Sequence, residues 1–246
     1  MGKIIVFLYG IVCYAVFFLS FLYAIGFVGN LVVPKSIDSG TAGAIVPSLV
    51  VNLVLLALFA VQHSVMARPA FKRWWTRIVP VAAERSTYVL ISSLLLFLLY
   101  FQWRPMTGVV WNIESGLGAG VITAIFWVGW LIVLLSTFMI NHFDLFGLRQ
   151  VYLNFRGDDY HDPKFTTRGL YKCVRHPIML GFIIAFWATP QMTVGHLVFS
   201  IMTSAYIVVG VLFEENDLKN ALGQDYEDYQ GRVSMLIPGC CKKRKT

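Results

Sequence analysis

From residue 178 to residue 213 the sequence runs for 36 residues without a charged side chain. A helix needs about 20 mainly apolar residues to cross the hydrocarbon core of a bilayer. The tract is too long for one span and short for two. Pro190, flanked by Thr189 and Gln191 and followed by Gly195 and His196, marks a turn in its middle. The tract therefore reads as a tight helical hairpin of two short or tilted spans. Four further apolar runs precede it, at 4–27, 44–66, 87–103 and 121–140. The expected fold is an all-α integral membrane protein with about five to six transmembrane helices, the last two forming the hairpin.

Composition excludes other classes. Hydrophobic residues make up 57% of the 246 and charged residues 13%, against about 25% in an ordinary soluble domain. That is too apolar for intrinsic disorder. Four Cys are too few for a disulfide-stapled secreted module. The net charge of +7 has no polar surface on which to meet nucleic acid. The first apolar run is too long for a signal peptide and no A-x-A site closes it.

Charge placement suggests an orientation. Residues 67–86 hold Arg68, Lys72, Arg73, Arg77 and Arg85 against Glu84, and residues 142–176 hold six basic side chains. The C-terminus ends in Lys242, Lys243, Arg244 and Lys245, whereas 28–43 and 104–120 each carry one base and one acid. Positive loops stay cytoplasmic. Six spans then put both termini on the cytoplasmic side of a bacterial-type inner membrane. The chain reads as one domain: helices 1–4 over 1–141, a cofactor-binding core with the hairpin over 142–238, and a basic tail over 239–246.

Two blocks flank the hairpin on the side read as cytoplasmic. The first is Gly169-Leu170-Tyr171-Lys172-Cys173-Val174-Arg175-His176-Pro177. Pro177 suits the first turn of a helix, and the N–H groups there, with Arg175 and His176, can bind anionic or hydrogen-bonding ligand groups. Anchoring of a positive loop accounts for the same residues equally well. The second block is Glu214-Glu215-Asn216-Asp217-Leu218, followed by Tyr226 and Tyr229. Two acids at a span end oppose the positive-inside bias and are costly there unless paired. They could accept from ribose hydroxyls, or an Arg–Glu pair could simply close the hairpin.

Taken as a pair, these blocks resemble the isoprenylcysteine carboxyl methyltransferase superfamily, parts of whose pattern are shared by phospholipid methyltransferases and NnrU-like membrane proteins. The resemblance covers about residues 165–238. It departs at Met179, where such enzymes often carry an aromatic residue, so no aromatic contact is implied there. Three further stretches, Gln62-His63-Ser64-Val65-Met66, Glu84-Arg85-Ser86-Thr87-Tyr88 and Asn141-His142-Phe143-Asp144 through Arg149-Gln150, look like one bacterial branch, the methanethiol S-methyltransferases. The resemblance implies methyl transfer from S-adenosyl-L-methionine to methanethiol, giving dimethyl sulfide, with hydrogen sulfide and other small thiols as further acceptors. It implies cofactor binding by Gly169, Leu170, Tyr171, Val174, Arg175, His176, Pro177, Glu214, Glu215, Leu218 and Tyr226.

The chemistry narrows the remaining roles. A thiolate is far more nucleophilic than a thiol, and an apolar pocket resists its formation. A base or a nearby cation is needed, which makes His142 and His63 candidate bases and Arg149 and Arg175 candidate cations. A lone His near a span end is more often a structural hydrogen-bonder. His63 and His142 could alternatively ligate a haem. A phospholipid amine could be the acceptor instead. A transporter would show polar or broken helices near the midplane; Asn52 is the clearest mid-span polar residue, and the clustering of Arg, His and Glu at one face argues against transport. No Cys pair has zinc spacing, and no metal site is expected. Cys240-Cys241 beside the basic tail could carry a lipid or simply touch headgroups.

Overall fold

A computed structural model describes residues 2–163 and 165–239. The tail cations Lys242, Lys243, Arg244 and Lys245, with Cys240 and Cys241, lie outside the described residues. Five helices among them are long and apolar enough to cross a membrane: α1 Lys3–Gly29, α2 Ile45–Ala67, α4 Val81–Gln102, α5 Gly116–Ile140 and α9 Val194–Leu222. Shorter helices are α3 Pro69–Trp75, α6 His142–Leu145, α7 Leu148–Arg156, α8 Pro177–Trp187 and α10 Gln224–Arg232. Two short strands, β1 Val109–Asn112 and β2 Gln191–Thr193, pair with each other. The protein is an all-α integral membrane protein, as its apolar runs require.

The chain divides into two compact units. Among the described residues, one comprises 2–108, 141–163 and 193–196; the other comprises 109–140, 165–192 and 197–239. The stretch 142–164, grouped by sequence with the hairpin, thus packs with the first helices.

In the first unit α1 packs on α4 and α7, and α2 packs on α4. A stripe on α1 with alternating three- and four-residue spacing makes the contacts to the later segment. Phe7 stacks on Phe155 with ring centroids 5.0 Å apart, Gly10 lies against Val151, and Phe17 stacks on Phe146 at 3.8 Å. Such spacing keeps side chains on one helix face. Gly147 has a positive φ of 87°, and a Cβ there would stand 2.7 Å from the backbone nitrogen of Ser86. Only glycine fits this approach. Asn52 is fully buried and clamps the backbone of Arg104, donating to its carbonyl and accepting from its N–H, both at 2.8 Å. The clearest mid-span polar residue is thus a satisfied structural bridge.

α4 begins six residues before the expected run at 87–103, because the helix continues past the apolar stretch to Pro80 and carries Glu84 and Arg85 in its first turns.

In the second unit α5 and α8 approach closely. A Cβ on Gly181 would stand 2.7 Å from the Gly129 carbonyl, and one on Gly129 would stand 2.7 Å from the Ala185 nitrogen. Within a bilayer, helices associate through such small-residue contacts and interhelical hydrogen bonds instead of the hydrophobic effect. α9 returns beside α8: Ser200 donates to the Phe186 carbonyl at 2.6 Å and Trp187 donates to Ser204 at 2.9 Å.

The 36-residue tract fits because its first arm is only half helical. The eleven residues of α8 rise about 16 Å, roughly half of a hydrocarbon core of about 30 Å. Beyond Trp187 the chain leaves the helix, bends at Pro190 and pairs as β2 before α9 begins at Val194. Non-helical backbone at such depth must be satisfied by protein. Here Ile113 donates to the Pro190 carbonyl at 3.0 Å and the Trp111 indole to the Thr189 carbonyl at 3.2 Å.

Candidate functional site

Sequence dictates the base of the hairpin. Pro177 occupies the first turn of α8, where its missing N–H costs nothing. Leu180 donates back to the His176 carbonyl at 3.1 Å, so Ile178 and Met179 carry the first-turn N–H groups with no intrahelical acceptor. Just upstream the chain runs beside residues 234–235. Val174 and Ser234 form a parallel bridge, Arg175 N–H donates to the Ser234 carbonyl at 2.8 Å, and His176 N–H donates to the Met235 carbonyl at 3.2 Å. Arg175 and His176 are therefore fixed at the backbone as well as by their side chains.

The side chains converge on Glu215. Arg175 Nε donates to Glu215 Oε1 at 2.6 Å, and His176 Nε2 lies 3.1 Å from the same oxygen. Gln230 donates to Oε2 at 2.9 Å. The Arg175 guanidinium also donates to the carbonyls of Gln230 and Val233. Arg175 and Glu215 are about nine-tenths buried, whereas Glu214 keeps 50% of its side chain exposed and, among the described residues, pairs with His176 Nδ1 at a longer 3.5 Å. The two adjacent carboxylates thus differ. Glu215 is saturated by protein donors, and Glu214 retains capacity to accept.

α10 covers this cluster with aromatic rings. Tyr226, Tyr229 and Val233 form a small core against which Leu218 packs. Tyr229 donates to the Tyr171 carbonyl at 2.6 Å, and burial pushes its phenol up to about 12. Tyr226 is 1% exposed, and its phenol makes no hydrogen bond to a described residue. Burial, then the nearby Glu215 carboxylate, push its pKa up, so Tyr226 stays a protonated donor. Gly169 opens the short 3-10 turn Gly169–Lys172 with φ of 54°, and Leu170 N–H points at Met139 Sδ, 3.4 Å away. Gly169, Leu170, Tyr171, Val174, Arg175, His176, Pro177, Glu214, Glu215, Leu218 and Tyr226 all lie in the second unit.

His142, Arg149 and His63 belong to the first unit. Asn141 caps α6 by accepting from the Asp144 N–H at 3.2 Å. Arg149 donates to Asp144 at 2.8 Å and to the His161 carbonyl at 3.1 Å, and it lies over the Tyr160 ring. Its charge is therefore largely matched by a carboxylate. His142 is 7% exposed, burial lowers its pKa, and its Nε2 lies 2.7 Å from the Tyr14 phenol oxygen. His63 stacks on Phe59 and contacts the Tyr88 phenol at 2.9 Å and Ser92 at 3.3 Å. Sequence reasoning missed Tyr14. The usable signal was its place in the Phe7, Gly10, Tyr14, Phe17 stripe, because a phenol on a buried helix face needs a polar partner. No group of His, Cys, Asp and Glu among the described residues could hold a metal ion.

The family model described as NnrU protein matches residues 51–236, and so spans the two blocks as well as His63, His142 and Arg149. The chain belongs to the NnrU family. Within reach of this family assignment stand much closer relatives. Methanethiol S-methyltransferase 2 of Bradyrhizobium diazoefficiens is 55% identical over all of this chain and 94% of its own length. Methanethiol S-methyltransferase of Mycobacterium tuberculosis is 57% identical over 97% of this chain and 98% of its own. Nurim of Mus musculus is 28% identical over 72% of the chain. No solved structure matches. An NnrU-family chain with such relatives has to accommodate a methyl donor.

Proposed function

We propose that the protein transfers the methyl group of S-adenosylmethionine to methanethiol, giving dimethyl sulfide, S-adenosylhomocysteine and a proton. The near full-length identity to relatives named methanethiol S-methyltransferase carries this reading. Small thiols such as hydrogen sulfide are further acceptors.

The hairpin base suits the donor. A nucleoside offers ribose hydroxyls and ring nitrogens, and S-adenosylmethionine adds a carboxylate. Glu214 has spare accepting capacity for a hydroxyl. The buried Tyr226 phenol is a donor lacking an acceptor, and an orphaned buried hydroxyl costs about 1–3 kcal/mol until it is matched. The N–H groups of Ile178 and Met179 can receive an anionic group at the start of α8. Arg175, His176 and Glu215 brace this surface, Leu170, Tyr171 and Val174 line it, and Pro177 starts the helix. Leu218 backs the Tyr226 ring, and Gly169 makes the turn. When bound, the cofactor supplies a sulfonium-activated methyl group.

The acceptor must lose its proton to attack well. In this reading His142, kept neutral by burial, serves as the base and His63 is the alternative base, while Arg149 and Arg175, the candidate cations, carry charge already paired with Asp144 and Glu215 and act by holding the site in place. The basic segments at 67–86 and 142–176 favour cytoplasmic termini in a bacterial-type inner membrane. An apolar thiol would reach such a protein through the lipid bilayer. The test is headspace analysis of purified protein given S-adenosylmethionine and a panel of thiols, amines and phospholipids. Dimethyl sulfide from methanethiol is expected, and methylation confined to amines or phospholipids would overturn the assignment.

A further inference from the structure

The assignment of His142 as base leaves open how a thiol proton reaches it. His142 Nε2 is already engaged by the Tyr14 phenol oxygen at 2.7 Å. The rings meet edge to face with centroids 5.8 Å apart, and Phe146, stacked on Phe17, also meets the imidazole edge to face at 4.9 Å. All of these groups belong to the first unit. No thiol can approach Nε2 without displacing Tyr14, which is fixed by the stripe Phe7, Gly10, Tyr14 and Phe17 on α1. Tyr14 keeps part of its surface exposed, whereas His142 is 7% exposed.

We propose that Tyr14 is a catalytic residue that relays the acceptor's proton to His142. The step rests on the thiol-methyltransferase reading and balances simply. The thiol S–H proton passes to Tyr14 Oη as the Tyr14 hydroxyl proton passes to His142 Nε2. The sulfur then forms its bond to the methyl carbon as the donor's carbon–sulfonium bond breaks. The imidazolium later loses its proton to solvent through the same phenol. Asp144, two residues from His142, is held by Arg149; the relay does not use it.

Three variants of the full chain in nanodiscs test this: Tyr14→Phe, His142→Gln and the double variant. Each is assayed with methanethiol and with the more acidic trifluoroethanethiol. Removing one partner of a proton-transfer pair should lower kcat for methanethiol about 100-fold, leave S-adenosylmethionine affinity unchanged, and cost far less with the acidic thiol. The double variant should be no slower than His142→Gln, as expected for groups that act as a unit. Equal losses on both thiols, or losses that multiply in the double variant, would reduce Tyr14 to a packing role. Wild-type turnover by Tyr14→Phe would remove it altogether. Wild-type turnover by His142→Gln would instead overturn the base assignment on which the relay depends.

Discussion

Arg175 and Glu215 form a buried ion pair at 2.6 Å whose remaining hydrogen-bonding positions are taken by His176, Gln230 and backbone carbonyls. The pair ties the start of α8 to the end of α9 and to α10. Its neighbour Glu214 takes almost no part. Two carboxylates that are consecutive in sequence are therefore expected to answer differently to the same substitution.

Glu215→Ala should destabilise the protein by about 3–5 kcal/mol, because it leaves a buried guanidinium without its counter-ion. Glu214→Ala should melt like the wild type and bind S-adenosylmethionine more weakly. Thermal melting and calorimetry on both variants check the pair; equal melting temperatures would contradict the division of labour.

Tyr226→Phe removes a hydroxyl that has no hydrogen-bond partner among the described residues. Folding stability should hold or rise slightly, while cofactor affinity falls about 10-fold, in line with one hydrogen bond of about 1–1.5 kcal/mol. An unchanged affinity by calorimetry would separate this phenol from the cofactor.

Gly181 faces the backbone of α5, and an added Cβ would meet the Gly129 carbonyl and the Val133 nitrogen at 2.7 and 2.9 Å. Neither atom can move without shifting a helix. Gly181→Ala should cost about 1–3 kcal/mol as an overpacked interface. Thermal melting in detergent reads the loss. Gly210→Ala, where a Cβ meets nothing, serves as the control.

Burial lowers the pKa of His142 from its ordinary 6.5. The unfolded chain therefore binds the proton more readily than the folded one. Stability should be level above about pH 6.5 and fall as the pH drops from there toward the lowered folded-state value. His142→Gln should lose this part of the pH dependence. Melting temperatures at pH 7.5 and 5.5 give the comparison, and an identical drop in both proteins would contradict it.

Much of the fold was legible because bilayer thickness converts directly into run length. The existence of the five long helices follows from the uncharged stretches, and the break in the last tract from Pro190 and its polar neighbours. What was not legible depends on partners distant in the chain. That the chain leaves the helix after Trp187 follows from donors supplied by Trp111 and Ile113 to the Thr189 and Pro190 carbonyls, 78 residues away in sequence or nearly so. That 142–164 packs with α1 instead of the hairpin follows from the stripe through Gly10 and Phe17, which is invisible in a helix apolar on every side. The two blocks of the candidate site were found by type and spacing. The inequality of Glu214 and Glu215 was not, because adjacent residues on a helix point about 100° apart and only the packing decides which one faces inward.

The central claim is methyl transfer to a small thiol, and isotope transfer tests it most directly. Purified protein in nanodiscs receives methanethiol and S-adenosylmethionine carrying a trideuterated methyl group, and the headspace is analysed by mass spectrometry. Dimethyl sulfide bearing one trideuterated and one ordinary methyl group is the expected product, absent without the protein. Intact donor with no labelled dimethyl sulfide, from protein shown to bind S-adenosylmethionine, would contradict the account.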